Sequence, residues 1–160
     1  MDEVRIELVA ALRRSTDEVM AFSAGDAATL ARTYAPGKWS MRLILVHLCD
    51  AETVFFDRLR RVAADDKPLL WAYDENRWAE KLAYDRRSVT VTRDLFRATR
   101  LASIDLIDAL PSEALARSGV HSEAGVKSFA QIARTIVTHT EHHLEQLRAI
   151  AQDRRWPSEA

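Results

Sequence analysis

Three of the five histidines in this chain crowd into one stretch, VTHTEHHLEQL, residues 137–147, at positions 139, 142 and 143. An imidazole can ligate a metal, move a proton or sit hydrogen-bonded in a core, and the direction of each ring decides among these. The stretch lies in an apolar-periodic segment that predicts a helix over residues 128–153. Ser128, with Gln131 three positions on, has the capping-box pattern that opens such a helix. The stripe of that helix reads Phe129, Ile132, Ile136, His139, His143, Leu147, Ile150, so His139 and His143 stand in place of hydrophobes. At i and i+4 they share one face. His142 is turned from His143 by about 100° and falls on a flank with Thr135, Thr138 and Gln146.

Two inward-facing imidazoles need partners, because a buried polar group left unpaired is costly. One divalent cation would satisfy both, and His-x3-His is a chelating spacing on a helix. The intervening residues are Thr-Glu-His, and Glu141 is turned away from the pair, so no metalloprotease base is assigned to it. A third ligand must come from elsewhere. His47, in LILVHLCDAE, borders the apolar stripe of another helix. His121, flanked by glycines, reads as exposed. Three imidazoles with an open coordination position are the pattern of a catalytic rather than a structural site. Zinc, nickel, manganese and iron all suit such a donor set. The competing reading keeps the histidines as hydrogen-bonded core groups.

Residues near these ligands divide in the same way. Asp50, one turn after His47, either orients that histidine or a bound water, or is a surface carboxylate. Trp71 and Tyr73, in the aromatic-rich LLWAYDENRWAEKLAY of residues 69–84, are candidate pocket walls. Trp39 and Trp78 read as core aromatics. Cys49 points about 200° from His47 around the helix and reads as a small packed side chain.

Four long helices must position these groups. The first covers about residues 2–23. The second is capped by Ser40 and stops before Pro68. The third runs from about Thr92 to Leu110, with Leu95, Thr99, Ala102, Leu106 and Ala109 as its stripe, and the last is residues 128–153. A short helix is expected around 75–83 and a loose hairpin around Gly119–Gly125, without a strand series. The expected fold is all-α, a single-domain four-helix bundle over residues 1–160, with long crossover connections at 24–39 and 65–91. Connections of that length commonly carry function.

Composition removes several function classes. The formal net charge is −1 and acidic residues interleave with the arginine pairs, so no basic stripe suits nucleic acid. No apolar run approaches a membrane span. The N-terminus lacks a signal-peptide pattern, and the one cysteine fits a reducing compartment. A cytoplasmic location is therefore expected.

Two blocks, YAPGKWSMRLILVHLCDAE (residues 34–52) and VTHTEHHLEQL, resemble the DinB-like bundles, particularly the YfiT branch of metal-dependent hydrolases. Order and spacing agree over about residues 5–150. The resemblance implies a four-helix bundle with long crossovers, often dimeric, with zinc or nickel held by His47, His139 and His143. Its thiol-dependent members transfer a low-molecular-weight thiol to an electrophile or use one in isomerisation. This chain departs from the pattern at Glu145, where many relatives carry glycine, which places a charge near the expected site mouth. The leading expectation is a metal-dependent hydrolase or thiol S-transferase acting on a small molecule. The alternatives are a non-catalytic metal- or small-ligand-binding bundle and a purely structural bundle.

Overall fold

The computed structural model describes residues 2–157. Helix α1 spans Asp2–Phe22, a short α2 Ala27–Ala31, α3 Met41–Ala64, α4 Glu75–Lys81, α5 Val89–Ala109 and α6 Phe129–Ala151. Ser40 and Ser128 cap their helices as expected, and Ser88, which the sequence reading did not single out, starts α5 three residues earlier than expected. Ser40 Oγ accepts the Leu43 N–H, Ser88 Oγ that of Val91, and Asp26 and Asp74 cap the two short helices. At Ser128 the capping box is complete: Ser128 Oγ accepts the Gln131 N–H at 3.2 Å, and Gln131 Oε1 accepts the Ser128 N–H at 2.8 Å.

The long helices form a four-helix bundle in which α1 and α3 each pack against α5 and α6. Cross-helix pairs fix the directions. Arg5 reaches Ser112, Arg13 faces Asp108 and Ser15 meets Arg100, so α1 and α5 are antiparallel. Arg42 and Asp50 meet Arg87, and Glu52 meets Arg100, so α3 and α5 run parallel. His47 meets His139, and Phe55 and Arg58 share a cavity with Ile132 and Thr135, so α3 and α6 are antiparallel. Joining two parallel helices requires the chain to travel back along the bundle. Helix α3 has 24 residues, a length of about 36 Å, which explains the long connection after it.

That connection runs over α3. It begins with β1, Leu69–Leu70, which pairs in parallel with β2, Ser118–His121, and β2 pairs antiparallel with β3, Gly125–Ser128. This three-stranded sheet corrects the expectation of a hairpin alone. The two segments approach so closely that a Cβ on Gly119 would lie 2.8 Å from the Pro68 carbonyl oxygen, which is why glycine stands there.

Two apolar clusters form the core. One gathers Leu12, Phe55, Leu59, Ile104, Phe129 and Ile136; the other gathers Ile44, Leu45, Leu48, Phe96, Leu144 and Ile150. Between them lies a buried polar layer to which all four long helices contribute. Arg100, 0% exposed, donates through Nη2 to Glu52 Oε2 (2.7 Å) and Thr140 Oγ1 (2.9 Å), and through Nη1 to Ser15 Oγ (3.0 Å). Ser103 Oγ donates to the other Glu52 oxygen at 3.2 Å. A buried ion pair needs these extra hydrogen bonds to offset its desolvation. The layer also corrects the expected face of α5. Leu95 is 43% exposed, and the buried side is Thr92, Phe96, Thr99, Arg100, Ser103 and Ile107. Counting apolar residues turns the helix the wrong way, because four of its inward groups are polar, with Arg100 and Ser103 paired to Glu52.

Candidate metal centre

The histidines predicted as ligands converge beside this polar layer. His47, one and a half turns into α3, is completely buried, and its Nε2 lies 3.0 Å from His139 Nε2 on α6. His143, one turn further along α6, packs its ring 4.7 Å from both. One ligand nitrogen from each of the three falls within 4.8 Å of the others. The 3.0 Å separation lies within the span of two metal–nitrogen bonds of about 2.0–2.1 Å each.

Their electrostatics suit metal binding. Burial, then the neighbouring imidazoles, pushes His47 down to about 2. Burial likewise holds His139 at about 3, with the Arg100 guanidinium among the smaller causes, and His143 at about 4, where Gln146 acts in the opposite direction. All three are therefore neutral near pH 7, so no proton has to be displaced before a lone pair can be donated.

Gln146 sets which lone pair that is. Its Oε1 lies 2.8 Å from His143 Nδ1 and accepts the N–H there, leaving Nε2 of His143 free to bind a cation. Its amide nitrogen, 3.4 Å from His142 Nε2, donates to that ring. Gln146 was expected on the flank with His142, but it is buried, because its long side chain reaches back under the His143 ring. His142 itself is exposed, rests edge-on against Trp156 and belongs to the wall of the site, not to the converging set.

A cavity of about 420 Å³ opens over His139 and His143. Its walls come from the connection after α2 (Tyr34, Lys38, Trp39) and from the start of α4 (Glu75, Asn76). Trp39, expected to be plain core, packs its ring 5.1 Å from His47. Gly37, with φ +73°, makes the turn that brings this wall in. Glu75 Oε2 stands 3.7 Å from His47 Nε2, and half of its side chain is exposed to the cavity mouth and solvent. The returning path from α3 to α5 delivers it there. No local pattern marks Glu75, and only the parallel arrangement of α3 and α5 could have pointed to it.

Several expected neighbours lie elsewhere. Asp50 does not orient His47: both of its oxygens accept from Arg87 Nη1 at 2.7 Å. The ion pair with Arg87, at the end of the connection just before α5, wins over a neutral imidazole. Trp71 and Tyr73 do not wall the histidine cavity. They line a separate one of about 430 Å³ over Thr53, Asp57 and Arg58, where Tyr73 and Trp78 pack ring to ring at 4.3 Å. Glu145 is turned from the site and binds Arg148 at 2.6 Å and Arg154 at 3.3 Å. Its carboxyl is held below the usual range chiefly by Arg148. Glu141 also pairs with Arg148, as its outward phase requires. His121 is half-buried rather than exposed, and its Nδ1 accepts the N–H groups of Glu123 and Ala124 across the hairpin turn. Cys49 is fully buried, and burial pushes its thiol up to about 12, so it offers no thiolate.

The geometry agrees with what the chain is similar to. It is 25% identical over 124 residues to "Putative metal-dependent hydrolase OB0782" of Oceanobacillus iheyensis, covering 78% of this chain and 72% of that protein. A second protein of that organism, "Putative metal-dependent hydrolase OB0413", is 27% identical over 119 residues, or 74% and 68% of the two chains. The fold matches the solved structure of YfiT from Bacillus subtilis, described as a probable metal-dependent hydrolase with an unusual four-helix bundle topology. The TM-score is 0.88 at 17% identity, over 96% of this chain and 89% of that one. The family model for the DinB superfamily matches residues 1–147. This chain is a member of the DinB superfamily.

Proposed function

We propose that this protein is a metal-dependent enzyme in which His47, His139 and His143 hold one divalent cation at the base of the 420 Å³ cavity. The observation that carries this reading is the convergence of three neutral imidazoles on one point at the end of an open cavity. When bound, such a cation lowers the proton affinity of a water or thiol placed in its open position. Three imidazoles suit zinc, nickel, manganese and iron, and the resemblance to the YfiT branch favours zinc or nickel. The substrate is a small molecule, and the nucleophile is water or a low-molecular-weight thiol.

The chain's own residues divide the remaining work. Gln146 fixes the tautomer and orientation of His143. Glu75, at the mouth, is the carboxylate placed to accept a proton from an attacking group. Trp39 and Tyr34 give the cavity aromatic walls for an apolar part of the substrate, while Lys38 offers a positive charge to an anionic substrate group.

The test begins with metal content. Wild-type protein purified without a polyhistidine tag should carry about one metal per chain by mass spectrometry, and His143→Ala should lose it. Chelator-sensitive hydrolysis of model esters and amides, or conjugation of common thiols to an electrophile, then separates enzyme from binder. A metal-free wild type of undiminished stability refutes the proposal. Full metal loading without chelator-sensitive turnover on either substrate class would favour a binding protein.

A further inference from the structure

Along the same α3–α6 seam, beyond Phe55, lies a half-open space of about 220 Å³, flanked on its outer side by the β2–β3 hairpin. Its floor is apolar, formed by Phe55, Leu70 and Ile132. Its rim is cationic. Arg58 is held over the Phe55 ring, 5.7 Å from its centroid, and donates one Nη2 hydrogen to the Trp71 carbonyl, while its enclosed Nε has no partner. Lys127, on β3, is half-buried at the same rim. His121 turns its Nδ1 to two backbone N–H groups, so its proton sits on Nε2 as a third donor.

No ion pair joins Arg58 or Lys127 to a carboxylate among the described residues. The acidic neighbours are otherwise placed: Asp57 is taken by Arg60 and Arg61, and Glu123 is exposed in the hairpin turn. After burial, Arg58 depresses His121 most, while Glu123 acts in the opposite direction ahead of a smaller lowering by Lys127. Cationic groups without an ion-pair partner, over an apolar floor, are an arrangement complementary to an amphipathic anion.

We propose that this space binds a small apolar carboxylate, its head on Arg58 and Lys127 and its body on Phe55 and Ile132. The size sets the class, since a cavity of about 150 Å³ accepts a benzene ring. A benzoate-sized acid fits, and a nucleotide or a long acyl chain does not. The site is distinct from the histidine centre: Arg58 lies about 16 Å along α3 from His47. It does not depend on any metal.

Isothermal titration of the intact protein with benzoate, and separately with inorganic phosphate, tests the assignment in four proteins: wild type, Arg58→Leu, Ala124→Trp and His143→Ala. Ala124 is an exposed residue of the hairpin turn that lines the space, so a tryptophan there obstructs the opening without removing charge or core. The expected result is saturable binding of one benzoate. It weakens at least tenfold in Arg58→Leu and in Ala124→Trp, is unchanged in His143→Ala, and is much weaker for phosphate. Wild type that does not saturate with benzoate overturns the proposal. So does phosphate binding as well as benzoate, benzoate binding indifferent to Ala124→Trp, or benzoate binding lost in His143→Ala.

Discussion

Acidifying the metal-free protein should destabilise it before its carboxylates titrate. In the unfolded chain each histidine takes up its proton near pH 6.5. In the fold, burial holds His47, His139 and His143 at about 2, 3 and 4. Protons therefore bind preferentially to the unfolded state between these values. The stability is fully present above about pH 6.5 and is lost as the pH falls toward the folded values. At pH 5, each histidine is some 1.5 units below its unfolded value, so each costs about 2 kcal/mol, and the three together cost on the order of 6 kcal/mol. That sum is an upper bound, since water entering the cavity over half-buried His139 reduces it, but it rivals the whole stability of a typical domain, about 5–15 kcal/mol. The assay is urea unfolding by circular dichroism in the presence of a chelator at pH 7.5, 6 and 5. Saturating metal should oppose the loss, because the cation binds only neutral imidazoles in the folded state. Metal-free stability that changes by less than about 1 kcal/mol across this window, where linkage predicts several, would refute the claim that the three rings are buried and neutral.

Three further outcomes follow from the same structure. Arg100→Leu leaves Glu52 charged and buried, so it should cost about 3–5 kcal/mol in chemical denaturation, and the double variant Glu52→Leu with Arg100→Met should recover most of that. Gln146→Leu should weaken metal binding by about 10–100-fold, measured by competition with a chromogenic chelator, while Gln146→Glu, which keeps an acceptor at His143 Nδ1, should lose much less. Gly119→Ala brings a methyl to 2.8 Å from the Pro68 oxygen, and should destabilise the protein by about 1–3 kcal/mol in thermal unfolding.

Much of the site was legible because His139 and His143 break an otherwise apolar stripe, a local signal that survives folding unchanged. His47 followed from needing a third donor beside another stripe. Helix ends were legible for a similar reason: Ser40 and Ser128 act on backbone groups three residues away. What failed was non-local. Asp50 was read either as orienting His47 or as a surface carboxylate, but Arg87 reaches it from the end of the connection that leads into α5. The face of α5 was misread because Arg100 and Ser103 are polar by type and core by partnership. Trp71 and Tyr73 were placed at the histidines because the connection's path, which carries Glu75 there instead, depends on the direction of α5. Gln146 was lost at the boundary of the stripe, where side-chain length rather than helix phase decides burial.

The Glu52–Arg100 pair has a mechanical consequence for the metal centre. Apolar seams between helices are tolerant of sliding, since a leucine displaced by one turn meets another leucine. A slip of α6 along α3 by one turn, about 5.4 Å, would part the 3.0 Å contact between His47 and His139. The same slip would drag Thr140 from Arg100 and strand a buried charge. The ion pair thus works as an alignment pin: it contributes little to net stability beside an apolar substitute, but it makes the misaligned bundle far costlier than the aligned one, and the three nitrogens inherit their precision from it.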